Sequence, residues 1–278
     1  NQPKAPLTPG YSLVGRVVAV GAGVALKPGD RVASLTVYGG QAERVNVPAR
    51  FLVPVPDGAD PAQAVCLVLD YMTAYQMLVH KAGTRRGQRV FVHGVSGAVG
   101  RALLDLCRRE GIEVLGTASP RNHDALRALG VTPFGYADHG WVAAVQQLGG
   151  VDAVFDPLGY ESFDRSYAIL RRGGVLCGYG FNLHVFDEGP PRSFVLSFLK
   201  LFARNLAVWT GKRTTFYGIN REAADFNQDL GALLAMLARG ELHPAVKAEL
   251  PLDQIQEAHR AWHGGSGMGS IVIRVKPA

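Results

Sequence analysis

The chain contains 278 residues, of which 47% are hydrophobic and 34 are glycine, and its formal net charge is +6. This composition supports one large or two ordinary domains with sizeable cores and argues against intrinsic disorder. The basic residues are scattered and form no stripe with exposed aromatics, so no nucleic-acid partner is expected. No apolar run approaches the ~20 residues of a membrane helix and no leader pattern is present, so we expect a cytoplasmic protein without a membrane partner.

Residues 1–60 predict a small β-domain. Val14–Val20 has the pattern of a strand, Pro28–Val32 that of a turn leading into a second strand, and Ala42–Val47 that of a further strand. Short strands with frequent turns and little helical periodicity are typical of a small β-barrel or sandwich. A helical pattern over Pro61–Leu78 then leads into the central region of the chain.

The central region opens with a strand, a tight turn and a helix that follow one another from Arg89. The turn carries glycines at regular spacing, Gly94, Gly97 and Gly100. Glycine lets such a turn bend sharply and approach a ligand closely, and the N–H groups at the start of the helix can bind a pyrophosphate. Tight strand-to-helix turns also need glycine for steric reasons, so the context must decide between a cofactor site and a structural turn.

Further apolar strands alternate with helical segments after this turn. The strand-like runs are Glu113–Ser119, Asp152–Asp156 and Val175–Gly180, and Ala125–Leu129 has a helical pattern. Alternation of this kind predicts a parallel, doubly wound sheet. It therefore favours the cofactor interpretation of the glycine turn.

The last part of the chain mixes helical and extended patterns. The segment Ser193–Leu206 is apolar apart from two basic residues, so we expect a buried or interface helix there. The final strand, Ile271–Val275, has no neighbouring strand in its own segment and is expected to return to the sheet of the first domain. The other predicted elements are a strand at Thr215–Ile219 and helices at Glu222–Ala238 and Gln254–His263.

The three cysteines, Cys66, Cys107 and Cys177, each lie inside an apolar run. Their spacing is not that of metal ligands. Buried free thiols in a reducing compartment are therefore expected.

Five segments follow one another in a recognisable order and spacing: Pro9–Gly15, Val20–Val24, Pro28–Val32, Leu69–Tyr75 and His93–Gly100. Together they resemble the medium-chain dehydrogenase/reductase superfamily, and its zinc-free quinone oxidoreductase-like branch most closely. The resemblance implies an α/β Rossmann domain with a doubly wound parallel sheet, over residues 71–219. It also implies a GroES-like β-barrel substrate domain over residues 1–70 and 220–278. Members usually carry several dozen residues before the Pro-Gly motif, so the barrel is expected to lack its N-terminal part.

The resemblance also implies that the chain binds no metal. In the zinc-dependent alcohol dehydrogenases, a His-Glu pair follows the Pro-Gly motif and a cysteine ligand falls near position 70. This chain has Tyr11, Ser12 and Asp70 at those places. Tyrosine and serine do not replace the nitrogen and sulfur donors that zinc prefers.

The end of the strand over residues 113–119 bears on which dinucleotide is bound. Sites that prefer NAD usually carry an acidic residue there, which holds the ribose 2′-hydroxyl. No carboxylate is present, whereas Ser119 and Arg121 can bond and neutralise a 2′-phosphate. Relatives usually place a lysine near Asn122, so the cationic role would shift to Arg121. We therefore expect NADP(H) as the cofactor.

By resemblance, the cofactor contacts come from the loops that follow the strands of the Rossmann domain. The glycine turn would hold the pyrophosphate, the loop after residue 156 would line the nicotinamide ribose, and the loop after residue 178 would flank the nicotinamide. The expected contact residues are Ser96, Gly97, Ala98, Val99, Thr117, Ser119, Arg121, Asn122, Tyr136, Leu158, Gly159, Tyr179, Gly180 and Phe181. Ser270 stands where relatives often carry a lysine beside the cofactor.

Hydride transfer to a conjugated carbonyl needs little acid–base machinery beyond a donor for the developing anion. Asp70, Tyr71 and Thr73 are the catalytic candidates that the resemblance implies. Relatives commonly show asparagine where Asp70 stands. An ionised Asp70 would repel a developing oxyanion, so it is either protonated through burial or serves a different substrate.

The resulting prediction is an NADPH-dependent reductase that acts on a small molecule, either a quinone or an α,β-unsaturated carbonyl compound, without zinc. Two alternatives remain open: an enoyl reductase acting on thioester-bound chains of a polyketide or fatty-acid pathway, and a non-catalytic NADPH-binding protein. The resemblance further implies a homodimer formed through the edge of the Rossmann sheet, near Leu206–Thr210 and Thr214–Tyr217.

Overall fold

The structure is a computed structural model that describes residues 6–137, 139–183, 192–263 and 267–275. The chain divides into two compact units, one formed by Asn1–Met72 with Ile219–Ala278 and the other by Thr73–Gly218. The chain passes into the second unit after Met72, two residues after the boundary expected at residue 70. It returns to the first unit after Gly218, one residue before the boundary expected at residue 219.

The second unit is built on a six-stranded parallel sheet. Its strands are β4 (Arg89–His93), β5 (Glu113–Ala118), β6 (Thr132–Gly135), β7 (Val151–Asp156), β8 (Leu170–Gly178) and β9 (Arg213–Phe216), in the spatial order β6-β5-β4-β7-β8-β9. The chain therefore leaves β4 in both directions, which is the arrangement of a doubly wound dinucleotide-binding sheet. This confirms the predicted fold class of the central region.

Helices connect these strands and bury apolar side chains against the sheet. They are α2 (Ala98–Glu110), α3 (His123–Ala128), α4 (Trp141–Gln147), α5 (Ser162–Ala168) and α6 (Phe194–Ala203). Phe91, Leu115, Val154 and Leu176, from four neighbouring strands, share one core cluster with Trp141. Strands covered on both faces are apolar throughout rather than alternating, which is why the sequence pattern identified β7 so clearly.

The first unit contains a three-stranded antiparallel sheet of β1 (Ser12–Arg16), β2 (Arg31–Leu35) and β3 (Val53–Pro54). It also contains helices α7 (Phe226–Ala238) and α8 (Ile255–His263), and a parallel pair formed by β10 (Val246–Pro251) and β11 (Ser270–Arg274).

Two sequence predictions for the first unit are wrong. Residues 42–47 form no strand; just before them, the N–H groups of Gly39, Gly40 and Gln41 donate to the carbonyls of residues 8–10 in irregular bonds. The last strand, β11, does not join the sheet of β1–β3 but pairs with β10, which the sequence analysis missed. A strand is defined by its ladder partner, and here the partner lies in a segment with a weak apolar pattern.

The helix α1 (Pro61–Ala82) joins the two units along the chain. Asp60 caps its N-terminus by accepting a hydrogen bond from the N–H of Gln63 at 2.9 Å, and Gly83 ends it in the left-handed conformation. By length and composition alone α1 could cross a membrane, but 67% of its most apolar window is buried inside the protein. Core helices of globular domains can have the same length and hydropathy, so α1 is only weak evidence for a membrane-spanning segment.

All three cysteines are free and buried, as predicted. Cys66 lies on α1 in the first unit, Cys107 on α2 and Cys177 on β8. Burial raises the pKa of both Cys66 and Cys177 to about 12 and that of Cys107 further. These thiols stay protonated and unreactive in the folded chain.

Candidate functional site

The carboxyl ends of four neighbouring strands bring most of the predicted cofactor contacts to one edge of the sheet in the second unit. In the register of the sheet, His93 at the end of β4 pairs with Thr117 on β5, and Asp156 at the end of β7 pairs with Gly178 on β8. The loops that follow these ends carry the glycine turn, Ser119–Asn122, Leu158–Gly159 and Tyr179–Phe181. Ligands of open α/β sheets bind at this edge, where the strand order reverses.

The glycine turn has the geometry of a phosphate-binding loop. Gly94 has φ +70°, and a Cβ at Gly100 would lie 2.3 Å from the carbonyl oxygen of Gly94. The helix α2 therefore starts as close to the turn as its backbone allows. Gly97 is its N-cap and supplies no side chain to the first turn, and its own N–H donates to the carbonyl of Gly94 at 2.9 Å. The N–H groups of the following residues, which begin the helix and have no acceptor within it, are the ones that can face an anion. Ser96, Gly97, Ala98 and Val99 are all at least partly exposed, as a ligand contact requires.

The end of β5 carries hydroxyl and basic groups and no carboxylate. Thr117 is buried and accepts a hydrogen bond from the N–H of Gly94 at 3.2 Å. Ser119 and Asn122 are partly exposed and Arg121 is exposed. Asp124, the first acidic residue after the strand, is bound to Arg127 at 2.7 Å. Tyr136, which the resemblance places near the same phosphate, is 61% exposed.

The loops after β7 and β8 are tied to each other. Asn182 and Leu183 donate backbone hydrogen bonds to the carbonyls of Pro157 and Leu158. A Cβ at Gly159 would lie 2.6 Å from the ring of Phe181, and one at Gly180 would lie 2.6 Å from the carbonyl oxygen of Pro157. Both glycines are required by this close approach. Phe181, expected to flank a nicotinamide, packs its ring against Phe194 at 4.4 Å between centroids and against Tyr160 at 5.4 Å.

A buried polar network behind these loops was missed by the sequence analysis. Asp156 is fully buried and accepts hydrogen bonds from the hydroxyls of Ser162 (2.8 Å) and Ser166 (2.6 Å) and from the N–H of Leu158 (2.7 Å). The Nε2 atom of His93 lies 3.0 Å from the Ser166 hydroxyl. A histidine at the carboxyl end of an apolar parallel strand is a signal that could have found this network.

The catalytic candidate Asp70 is paired with a hydroxyl in the first unit. The hydroxyl of Ser270, at the start of β11, donates to Oδ2 of Asp70 at 2.6 Å. Burial raises the pKa of the Asp70 carboxyl to about 6, and the bond from Ser270 opposes this shift. Asp70 lies in a stretch of α1, Leu67–Tyr71, that widens to the π-helical form, a feature frequent at functional sites.

The other two catalytic candidates are more deeply enclosed. Tyr71, in the first unit, is 3% exposed, and Thr73, the first residue of the second unit, is 7% exposed. Cys66 lies one helical turn before Asp70 and is close enough for the Asp70 charge to add to the effect of burial in raising the pKa of its thiol. The structure thus groups Asp70 with Ser270 and Cys66, while the cofactor residues group at the sheet edge of the other unit.

Comparisons with known proteins agree with this architecture. The family described as "Zinc-binding dehydrogenase" matches residues 129–273, and the "Alcohol dehydrogenase GroES-like domain" matches residues 1–57. The synaptic vesicle membrane protein VAT-1 homolog of Rattus norvegicus is 33% identical to this chain, over 98% of the chain and 70% of the relative. The quinone oxidoreductase of Pongo abelii is 28% identical, over 98% of the chain and 81% of the relative.

A solved structure adds a likeness in three dimensions. A mycobacterial protein complexed with NADPH superposes on this chain with a TM-score of 0.82 at 26% identity, covering 98% of this chain and 84% of that one.

Proposed function

Because the chain belongs to the medium-chain dehydrogenase/reductase superfamily, in its quinone oxidoreductase-like branch, we propose that it is an NADPH-dependent oxidoreductase. Its acceptor is a quinone or an α,β-unsaturated carbonyl compound. The observation that carries this proposal is the convergence of the glycine turn, Thr117 and the Leu158–Gly159 loop at one edge of a doubly wound sheet. The mycobacterial structure that is described as a complex with NADPH supports the choice of cofactor.

The preference for NADPH rests on the end of β5. A 2′-phosphate carries two negative charges and needs hydrogen-bond donors and a cation, whereas a 2′-hydroxyl is held by a carboxylate. Ser119 supplies a hydrogen-bond donor and Arg121 supplies the cation. The first carboxylate beyond them, that of Asp124, is paired with Arg127. Tyr136 is exposed beside this region and offers a ring and a hydroxyl to the same group.

When bound, NADPH supplies the hydride, and the protein orients the acceptor and provides a proton. The reduced acceptor gains one hydride and one proton, so a donor must face the developing anion. Protonated Asp70 would donate this proton, become the carboxylate, and take up a proton from solvent before the next turnover. Its pKa of about 6 keeps a usable protonated fraction near neutral pH. Tyr71 is the second candidate donor, and the Thr73 hydroxyl is assigned to the nicotinamide.

We propose that this chemistry uses no zinc. Tyr11 and Ser12 occupy the positions at which zinc-dependent relatives carry a His-Glu pair, and they offer neither imidazole nor thiolate. The thiol beside Asp70, that of Cys66, is buried and protonated. Activity that survives chelation, in protein free of zinc by elemental analysis, is the expected outcome. Zinc bound in equal amount to the chain and required for turnover would contradict it.

The cofactor proposal is tested by comparing NADPH with NADH in fluorescence titrations. Replacing Arg121 by alanine is expected to weaken NADPH binding by about tenfold or more, because charge-assisted hydrogen bonds contribute about 1.5–3 kcal/mol, and to leave NADH binding unchanged. Arg108→Ala is the control, since it removes the same charge from an exposed residue near the far end of α2 and leaves the Asp124–Arg127 pair intact. Equal losses for both cofactors, or for both variants, would contradict the assignment of Arg121.

The reaction class is tested by steady-state oxidation of NADPH with three acceptors: a simple quinone, an enone and an enoyl thioester. Turnover of the first two supports the proposal, and turnover of the thioester alone supports the enoyl reductase alternative. Thr73→Val and Asp70→Leu are both expected to lower turnover. Asp70→Leu is expected to leave NADPH binding intact, because Asp70 is assigned to the acceptor and not to the cofactor. Tight NADPH binding without oxidation by any acceptor would favour the non-catalytic alternative.

We also propose a homodimer formed through the second unit. The strand β9 is an edge of its sheet, and an apolar surface lies close to it in the chain. This surface consists of residues that are each at least 40% exposed: Phe194, Val195, Leu196, Leu199, Phe202, Leu206, Val208 and Trp209. Exposed apolar patches of this kind usually mark an interaction surface, and a second copy could cover it and extend the sheet.

A further inference from the structure

His93 lies at the centre of a chain of buried hydrogen bonds that joins the loop after β4 to the loop after β7. We propose that Thr117, His93 and Ser166 form a directional hydrogen-bond chain ending on Asp156, and that His93 is a positioning residue that holds the two cofactor loops together. The consequence for binding rests on the proposed function, since these are cofactor loops only if the chain binds NADPH. The direction of the hydrogen bonds does not rest on the proposed function.

The direction of each bond follows from counting protons, starting at Asp156. A carboxylate only accepts, so with Asp156 in that form the single proton of the Ser166 hydroxyl points to Oδ2 at 2.6 Å. The Ser166 oxygen must then accept at its 3.0 Å contact with Nε2 of His93, which places a proton on Nε2. Ser162 and the N–H groups of Leu158 and Gly159 complete the shell of Asp156.

The other half of the chain depends on His93 being neutral. The ring is 3% exposed, and burial lowers the pKa of His93. The charged or titratable groups that act on it are Asp156, which favours the imidazolium, and Arg165 and His139, which oppose it. With Nε2 protonated and the ring neutral, Nδ1 carries a lone pair and accepts from the Thr117 hydroxyl at 3.3 Å. Thr117 in turn accepts the N–H of Gly94.

The ends of this chain touch the two parts of the cofactor site. Gly94 opens the turn that would hold the pyrophosphate. Asp156 holds the N–H groups of Leu158 and Gly159, in the loop that would line the nicotinamide ribose. Phe91 and Trp141 meet the His93 ring edge to face, with centroids at 5.1 and 5.3 Å, and fix its plane. A displaced ring would therefore release both loops together.

Two serines that bond the same carboxylate oxygen provide a matched comparison. Ser166→Ala interrupts the hydrogen-bond chain between His93 and Asp156. Ser162→Ala removes an equivalent hydroxyl bond to Asp156 that is not part of the hydrogen-bond chain. Both residues are fully buried on α5. We expect Ser166→Ala to weaken NADPH binding by about tenfold and Ser162→Ala by less than about twofold, with similar losses of thermal stability. Equal weakening by the two variants would overturn the proposal.

Coupling between the ends of the chain gives a readout that a local packing defect would not change. Thr117→Val keeps the side-chain shape and removes the hydroxyl that donates to His93. The effects of Thr117→Val and Ser166→Ala on NADPH affinity are expected to be non-additive, because either change alone frees the ring. Additive effects would show that the two hydroxyls act separately, and would contradict the proposed hydrogen-bond chain.

The tautomer of His93 is tested without any cofactor. Nitrogen-15 NMR of the imidazole is expected to show a neutral ring protonated at Nε2, and to keep showing it at about pH 5.5, below the ordinary histidine pKa. A ring protonated at Nδ1, or an imidazolium, would overturn the direction of the chain. If NADPH does not bind the native protein but the tautomer is as expected, the proposed function fails while the hydrogen-bond chain stands.

Discussion

Asp70 shows how burial and one hydroxyl partner set the proton affinity of a carboxyl group. Its pKa rises from 3.8 to about 6 in the folded chain. Between these pH values the folded state binds the proton more strongly than the unfolded state. The group therefore favours folding at low pH, and this contribution is lost as the pH rises through about 6.

Asp70→Asn is accordingly expected to raise the melting temperature near pH 8 and to flatten its decline between about pH 4 and 7. The gain is at most about 3 kcal/mol, the free energy that corresponds to this pKa difference. Thermal unfolding followed by circular dichroism across the pH range measures it. Asp57→Asn, at an exposed carboxylate of the same unit, is the control and should leave the pH dependence unchanged. The same slope in both variants would contradict the burial argument.

At the level of single residues, the sequence was sufficient to single out Asp70 but not its environment. Burial raises the pKa of this carboxyl to about 6, which is the direction that the sequence analysis considered. The partner, Ser270, lies 200 residues away in the chain, and nothing in the local pattern of either residue announces the bond. The same holds for His93 and Ser166, which are 73 residues apart.

At the level of elements, the start of α2 depends on one glycine. A side chain at Gly100 would meet backbone atoms only, the Gly94 oxygen at 2.3 Å and the Val95 Cα at 2.7 Å, so no flexible group can give way. Gly100→Ala is expected to lower the free energy of unfolding by about 1–3 kcal/mol, the usual effect of overpacking, and to abolish tight NADPH binding. Chemical denaturation and fluorescence titration measure the two effects.

Gly135→Ala provides the control for this prediction. Gly135 ends β6 in the same unit, and a Cβ there would have no neighbour within 4 Å. The substitution should therefore leave both stability and binding nearly unchanged. A Gly100→Ala protein as stable as the Gly135→Ala protein would show that α2 can shift away from the turn.

The elements that were predicted well are those whose signal is local. The strands β5 and β7 are mainly apolar and buried, and their observed limits differ from the predicted ones by a single residue. The strand β10 is partly exposed and carries two charged residues, so its pattern is weak. The wrong strand at residues 42–47 had an alternating pattern but no partner, and pairing depends on the rest of the fold.

At the level of the whole molecule, the apolar surface on α6 and the segment after it predicts the oligomeric state. Light scattering is expected to give twice the chain mass of 29.8 kDa. Leu199→Asp places a charge on a residue that is 62% exposed within this surface and is expected to yield a monomer. Val18→Asp, at a residue 68% exposed in the other unit, should leave the mass unchanged. A native monomer, or a dimer that survives Leu199→Asp, would contradict the proposed interface.

A change of pattern along the chain predicts two domains. Short strands with turns give way to alternating strands and helices after α1, and the ordered family motifs indicated the fold of each part. The exact boundaries between the two units are not predictable from the sequence, because the first falls inside α1, where the helical pattern continues without a break. A boundary of this kind is set by packing and leaves no mark in the local sequence.

The burial of the three cysteines gives the native chain its own probes of motion. A thiol reagent can reach them only when the surrounding structure opens, since the folded state keeps each thiol enclosed and protonated. Cys66 reports on one unit, and Cys107 and Cys177 report on the other. The relative labelling rates therefore measure how often each unit opens in the unmodified protein. They also show whether a bound cofactor lowers the opening rate of one unit or of both.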